Sequence, residues 1–324
     1  MLIKDLFLQP PSKKDEFWKY TDFSFLDLEI SDKASYSVKT SLNRKAIDAY
    51  TDLKYSSFFE ISSTNKEEYI IHNNDYLEIS LLKGIIRKEF VFTVPENEIA
   101  NFNLCIQSFE DIEVFLAILK MTFFVNGILN LNIISSVKNN YLLKEINFII
   151  NNKGEVNIDY ISHGLSNNKV ALISEQADDS RFDLKYRSLL ANNENTDLTV
   201  YSNIVGKNCF LNHDIKCVLT DSSTFSCLGE INIFENADNT EANHYSSTLA
   251  LSENIRINSR PVLRINNKNV KCSHGSPSSY IKDEDRFYMN ARGISRNEAD
   301  KIYVTSFLNH TSSLIIDLIN KGVN

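Results

Sequence analysis

The sequence predicts a mainly β protein, with a mixed α/β region ahead of the β core and a helical subdomain behind it. Three observations carry this. From Leu129 to Ile265, apolar residues recur at every second position, the spacing that places side chains on one face of a strand. The segments between these runs are short and built from Asn, Ser, Gly and Asp, with no helix-length connection among them. Near the C terminus, Ser295-Arg-Asn-Glu298 is a capping box, in which a hydroxyl and a carboxylate satisfy free N–H groups at a helix start.

At the N-terminal end, Lys13 to Tyr20 is predicted as a short helix anchored by Phe17 and Trp18. Tyr69 to Asp75, followed by Tyr76-Leu-Glu-Ile-Ser80, predicts a hairpin around an Asn/Asp turn. From Phe109 to Phe124, apolar residues at Ile112, Phe115, Leu116 and Leu119 step by three and four, which predicts a helix stopped by Asn126-Gly127. Alternation then takes over at Leu129, Leu131 and Ile133, at Ile146, Phe148 and Ile150, and at Val156, Ile158 and Tyr160. It continues through Phe182 to Tyr186, Cys209 to Leu219, Phe225 to Ile233, Ile255 with Ile257 and Leu263 with Ile265. Sandwich, barrel and parallel β-helix all fit this pattern, and no clean repeat length separates them. Behind the core, Asp283 to Arg292 is predicted as a short helix closed by Gly293. The helix after the capping box carries Ile302, Phe307, Leu308, Ile315, Leu318 and Ile319, whose apolar face packs on the β core or docks a partner.

The chain has 324 residues and a formal charge of -8, which argues against broad attraction to nucleic acid or anionic lipid. No uninterrupted apolar stretch approaches the roughly 20 residues that span a bilayer. The first residues, Met1 to Pro10, lack the charged-then-apolar layout of a signal peptide, and five cysteines without a CxxC pair fit a reducing compartment. A cytosolic location is the expectation.

Catalytic motifs are missing from the sequence: it has no Walker A loop, no GxSxG elbow and no HExxH. His72, His163 and His310 are lone histidines and are read as structural or solvent-exposed. Cys209, Cys217 and Cys227 share a parity with His213 among apolar residues and are read as core packing, since a free Cys behaves as a small hydrophobe. Cys272 and His274 in Val270-Lys-Cys-Ser-His-Gly275 differ. An extended segment puts thiol and imidazole on one face, and these ligand types suit iron, zinc and copper(I). One Cys and one His cannot close a four-ligand site, so the residues alone leave core packing and ligation open.

Val270-Lys-Cys-Ser-His-Gly275, the acidic run Asp283-Glu284-Asp285, Phe287-Tyr288, Ala291-Arg292-Gly293-Ile294 and Glu298-Ala299 together resemble the C-terminal signature of the SufD family. That family provides a subunit of the SUF iron–sulfur cluster assembly complex. Glu16-Phe-Trp18-Lys-Tyr20-Thr21 is similar to its N-terminal segment. The resemblance implies a right-handed parallel β-helix core at 127–280, a mixed α/β region at 1–126 and a helical subdomain at 281–324. It implies a non-catalytic scaffold that pairs with SufB through the C-terminal end of the β-helix and holds the ATPase SufC on its helical tail. His274, with Cys272 beside it, then supplies part of a transient cluster site completed by SufB. Phe287, Tyr288, Arg292, Gly293, Ile302, Phe307 and Leu308 fall in the partner-binding region. The isolated chain is expected to hold no cofactor, and the resemblance associates the complex with reduced flavin. Ser276-Pro277 after His274-Gly275 and Arg286 before Phe287 depart from the family pattern. The sister subunit SufB carries His-Glu-Ala where this chain has His274-Gly275-Ser276, which favours SufD over a SufB-like paralogue. Two other readings are a self-associating β-helix homodimer and a β-helix enzyme acting on polysaccharide.

Overall fold

A computed structural model of the protein describes residues 14, 19, 21, 35–42, 66–108, 114–137, 141–164, 167–309 and 319. The helix expected at Lys13–Tyr20, and His310, Ile315 and Leu318, lie outside this set or almost wholly so. In chain order the strands are β1 (Ser35–Thr40), β2 (Lys66–Ile70), β3 (Asp75–Val94), β4 (Ile99–Ser108), β5 (Val114–Val125), β6 (Ile128–Ser136), β7 (Tyr141–Ile150), β8 (Glu155–His163) and β9 (Asn167–Gln176). They continue as β10 (Arg181–Leu190), β11 (Asn195–Ile204), β12 (Phe210–Leu219), β13 (Thr224–Ile233), β14 (Thr240–Ala250), β15 (Arg256–Ile265), β16 (Val270–Gly275) and β17 (Ser278–Tyr280). Two helices follow, α1 (Asp283–Asn290) and α2 (Arg296–Leu308).

The strands wind into a parallel β-solenoid of about seven turns. Each turn contributes one strand to each of two facing sheets. One sheet stacks β4, β6, β8, β10, β12, β14 and then β16 with β17 in parallel. The other stacks β5, β7, β9, β11, β13 and β15. The long β3 serves both: Asp75 to Leu81 pairs with β4, and Gly84 to Val94 with β5. Gly84 sits at the change of sheet with a positive φ of 78°, a conformation that costs glycine nothing. The ladder continues across residue 127 without a break, since β3 to β5 stack on the later strands in register.

Alternation read from the sequence is the inward face of these strands. Phe92, Phe123 and Phe148 stack on three successive coils at centroid distances of 4.6 Å and 5.3 Å. The column crosses the lumen to Phe182 at 5.5 Å. Outward-facing asparagines form ladders of their own, with Asn101 donating to Asn73, Asn130 to Asn101 and Asn157 to Asn130 at 2.6–3.0 Å. An amide can donate to one neighbour and accept from the next, so a column of Asn satisfies itself along the stack. At one corner Asp179, Asn208 and Asn239 take the left-handed conformation (φ 56–58°) on successive coils, the region Asn and Asp tolerate best. They too are bonded in a column.

Two local expectations are corrected. The helix predicted from Phe109 to Phe124 is strand β5 over its described part. Leu116 and Ile118 are buried on one face of β5 and Ala117, Leu119, Met121 and Phe123 on the other. A strand covered on both faces reads as a continuous apolar run, which periodicity cannot tell from a helix. The hairpin predicted around Asn73 to Asp75 is a corner of the solenoid. Tyr69 lies beside Phe92, in parallel with the far half of β3, and its ring stacks on Phe90 and Phe92. An Asn turn between alternating segments serves either a reversal or a corner, and Asn74 at φ 63° makes the corner.

The helical tail forms as the sequence indicates. Ser295 Oγ accepts from Glu298 N–H, and Glu298 accepts from Ser295 N–H at 3.0 Å. Gly293 takes a positive φ of 83° between the helices. Arg286, the departure from the family pattern, binds Asp300 through two nitrogens at 2.7 Å and 3.2 Å and so ties α1 to α2. The apolar face of α2 packs on the solenoid: Val304 and Leu308 join Ile161, Leu189, Val218 and Leu249 in a second small core. Two cations anchor its last turn. Arg187 Nε donates to Leu308 O and Lys216 Nζ to Phe307 O, both at 2.8 Å, where the helix dipole favours positive charge. Arg187 is fully buried and also pairs with the Asp214 carboxylate. Replacing Arg187 by Ala is expected to weaken docking of α2 by about 2–4 kcal/mol. Hydrogen exchange over 296–308 should then accelerate while amides of β5 to β9 keep their protection; unchanged exchange in α2 would show that the apolar contacts alone hold it.

Candidate functional site

The C-terminal end of the solenoid is open. Among the described residues β15 pairs with β13 alone, and β16 and β17 with β14 alone, so one side of each ends in unpaired backbone groups. β16 carries both sequence-predicted ligands. Cys272 sits beside Ala242, partly buried against the main core, and burial pushes its thiol up. His274 has the same inward parity two residues on and is exposed, with no further coil over it among the described residues.

His274 belongs to a larger group. It lies beside His244 on β14, and His244 lies beside His213 on β12. His213 and His244 are fully buried. Their Nδ1 atoms are 3.1 Å apart, and the rings meet edge to face at 5.4 Å. Phe182 contacts His213 at 5.9 Å, so the column of phenyl rings passes into one of imidazoles over the last three coils. His213 Nε2 is 3.1 Å from Ser202 Oγ, which is 2.6 Å from Ser174 Oγ. The ring of His244 occupies the space of a missing side chain: a Cβ on Gly229 would stand 2.1 Å from it. Sequence reading placed His213 among core residues and missed His244. The available signal was spacing, since 31 residues separate His213 from His244, one coil of the solenoid at this end.

The expected partner-binding residues divide. Phe287, Tyr288 and Ile302 are exposed at 75%, 57% and 49%, and Tyr280 on β17 at 70%. Arg292 stacks its guanidinium over the Tyr288 ring at 3.8 Å, and Gly293 is exposed at the turn. Phe307 is half-buried and Leu308 is committed to the contact between α2 and the solenoid. Ile302 and Leu308 therefore leave α2 on different sides, one toward solvent and one toward the sheet.

Three of the other cysteines behave as core residues, while Cys105 is half-buried. Cys209, Cys217 and Cys227 are buried, and burial holds each thiol above its ordinary range, Cys227 to about 12. A thiol so held is a poor ligand. Among the described residues no three His, Cys, Asp or Glu side chains converge as a metal would need. His72 pairs with Glu98 at the surface.

Burial drives His213 well below the usual imidazole range and His244 down to about 4, with neighbouring imidazoles adding to both. The unfolded chain takes up these protons near pH 6.5 and the folded chain does not, so acid favours unfolding. Stability conferred by the buried neutral pair is complete above about pH 6.5 and is lost as pH falls toward 4. The unfolding free energy from denaturant titrations across this range should fall by an amount on the order of 3 kcal/mol for His244; the double variant His213→Phe/His244→Phe should flatten that slope.

Residues 94–307 match the family model described as "SUF system FeS cluster assembly, SufBD core domain". The chain is 32% identical over 92 residues to an iron–sulfur cluster assembly SufBD family protein of Synechocystis, covering 28% of this chain and 20% of the relative. It is 29% identical over 92 residues to the iron–sulfur cluster assembly protein SufD of Escherichia coli, covering 28% and 22%. With SufD of Bacillus subtilis it shares 30% over 87 residues, covering 27% and 20%. Each matched stretch thus spans about a fifth of the relative's length. No helix among the described residues is long and apolar enough to cross a membrane. With a β-solenoid that ends in Cys272, His274 and the two-helix tail, and a family match over most of its length, the chain belongs to the SufBD core family of the SUF system of iron–sulfur cluster assembly and is SufD-like within it.

Proposed function

We propose that this chain is a cytosolic, non-catalytic scaffold subunit that pairs edge to edge with a SufB-type subunit through its last coil and docks a SufC-type ATPase on its helical tail. The observation that carries this reading is the terminal coil. β15 and β16 present unpaired backbone edges, and an exposed edge recruits another strand most readily when nothing blunts it. The same coil holds His274 exposed on its inward face, with Cys272 behind it. A strand added there brings foreign side chains beside His274, which gives a cluster site split between two chains. A scaffold must release its cluster, and a mixed imidazole–thiolate–carboxylate site shared across an interface lets go more easily than a closed four-thiolate cage.

The tail supports the docking half of the proposal. Phe287, Tyr288 and Ile302 are exposed aromatic and aliphatic side chains on a helical unit held to the solenoid by Arg187 and Lys216. Aromatic anchors on a rigid base are the usual energetic centres of protein interfaces.

The test is co-purification of tagged chain with untagged SufB and SufC of the same organism, wild type against His274→Ala, then anaerobic reconstitution with iron and sulfide assay. The complex should form with both, and cluster content should fall roughly tenfold in the variant, the scale of an altered ligand sphere. Failure of the wild type to form the complex would sink the pairing. The same edge would then be assigned to a two-fold homodimer, seen as a doubled mass by light scattering.

A further inference from the structure

We propose that the last coil is a basic docking edge that accepts a partner strand rich in Asp and Glu and rejects a second copy of this chain. This rests on the edge pairing with another chain proposed for that coil, and it names the charge by which the partner is chosen.

Charge is sorted by coil at this end of the solenoid. From Cys217 to Ile255, which takes in β13 and β14, stand Asp221, Glu230, Glu235, Asp238, Glu241 and Glu253 and no Lys or Arg. From Arg256 to Lys282, which takes in β15, β16 and β17, stand Arg256, Arg260, Arg264, Lys268, Lys271 and Lys282 and no Asp or Glu. Deeper in the stack, β10 and β12 each mix both signs. The two sorted coils fit each other. Arg264 Nε donates to Glu230 at 2.8 Å, and Lys271 lies beside Glu241 in the ladder. At the corner between β15 and β16, Asn267 donates to Asp238 at 3.1 Å. The basic coil thus has an acidic neighbour on its inner side. On its outer side it has none among the described residues.

All six cations are exposed. Ile257 and Leu263 on β15 pack against the main core, so alternation turns Arg256, Arg260 and Arg264 outward in one row. A strand added at this edge sets its side chains directly beside those of the last one. Opposite charges so placed stabilise the pair, and like charges repel. A second copy docked about a two-fold axis offers the same coil. Neither copy has an acid between residues 256 and 282, so cations meet cations whichever strands pair. Lys and Arg on an edge strand guard against self-pairing in this way. Against an acidic edge the same charges attract, speed the encounter and exclude wrong partners. The acidic coil directly behind and the overall charge of -8 oppose a broad polyanion. They favour a partner that meets the narrow basic edge alone.

The test is the association rate of the full-length chain with SufB of the same organism, measured from about 50 mM to about 500 mM salt. The wild-type rate should fall by about tenfold or more over this range. One chain carrying Arg256→Glu, Lys268→Glu and Lys271→Glu should associate about tenfold more slowly at low salt, with a flatter salt dependence. A wild-type rate that ignores salt overturns the proposal and leaves the edge pairing standing. No complex at any salt overturns the pairing and the proposal with it. Saturable binding to phosphatidylserine vesicles in place of SufB gives the basic end to a lipid surface and overturns the assignment. Self-rejection needs neither partner nor variant. By light scattering, any self-association of the wild-type chain should be weakest at low salt. A dimer that is as strong or stronger there overturns this half of the proposal.

Discussion

Parallel stacking in register, coil on coil, is the constraint on which the other features depend. Once β4 lies on β6 and β6 on β8 without a slip, every side chain has the same position of the neighbouring coil directly above and below it. Residues that stack well on their own kind are then favoured, as in other in-register β assemblies. Phenyl rings fill the lumen in a column and asparagines tile the outside. Like charges stacked this way repel, as Arg187 beside Lys216 does, and in two further columns the neighbours are of opposite sign. Lys120 lies over Glu145 and Lys169 over Asp197, the second pair buried with its ions 3.0 Å apart. Thr21 also donates to Asp197, so the buried carboxylate has a second partner.

This constraint explains what was legible in the sequence. Alternation from Leu129 onward is the inward face itself, and the capping box at Ser295 is a local motif that needs no tertiary context. The repeat was hidden because the coil length varies along the solenoid: Phe92 lies beside Phe123 31 residues on, before the spacing drops. Asn151 bonds Asn126 across 25 residues, whereas Asn258 bonds Ser226 across 32. Most strands stay near ten residues while the connections between them vary, so no fixed period exists to be found. The same drift concealed His244, whose relation to His213 and His274 is invisible until the coil length is known. The false helix at Phe109 to Phe124 has the opposite origin: β5 has too little alternation because both faces are covered. Cys272 and His274 were legible because they lie two residues apart on one short strand.

The tail is joined to the solenoid at two places that differ in kind. α1 follows directly from the last coil through β17, next to the open edge. α2 reaches back and hands its final carbonyls to Arg187 on β10 and Lys216 on β12, strands deeper in the stack. Arg286 and Asp300 couple the two helices, so a force applied to their exposed aromatic surface is shared between the last coil and these inner strands. β12 carries Lys216 outward and His213 inward. The tail and the imidazole column are therefore mounted on the same strand, on opposite faces.

Polarity inside a packed lumen is costly unless it is matched, and Lys144 and the buried imidazoles are matched differently. Lys144 points into the core far from the open end. It is bonded to Ser135 at 2.7 Å beneath the Tyr160 ring, and burial holds it well below the ordinary lysine range. Its donor and acceptor are enclosed together, which makes it a finished structural pair. The imidazoles are open-ended. Phenylalanine would have filled their places without desolvation cost, as it does at Phe92, Phe123 and Phe148 on earlier coils. Instead, hydrogen bonds run from Ser174 through Ser202 and His213 to His244 and stop one coil short of His274. This chain of polar groups ends inside the fold, at His244 Nε2, which is buried without a hydrogen bond against the space that Gly229 leaves on the facing sheet, so the imidazole column carries a desolvation cost that the phenyl column does not.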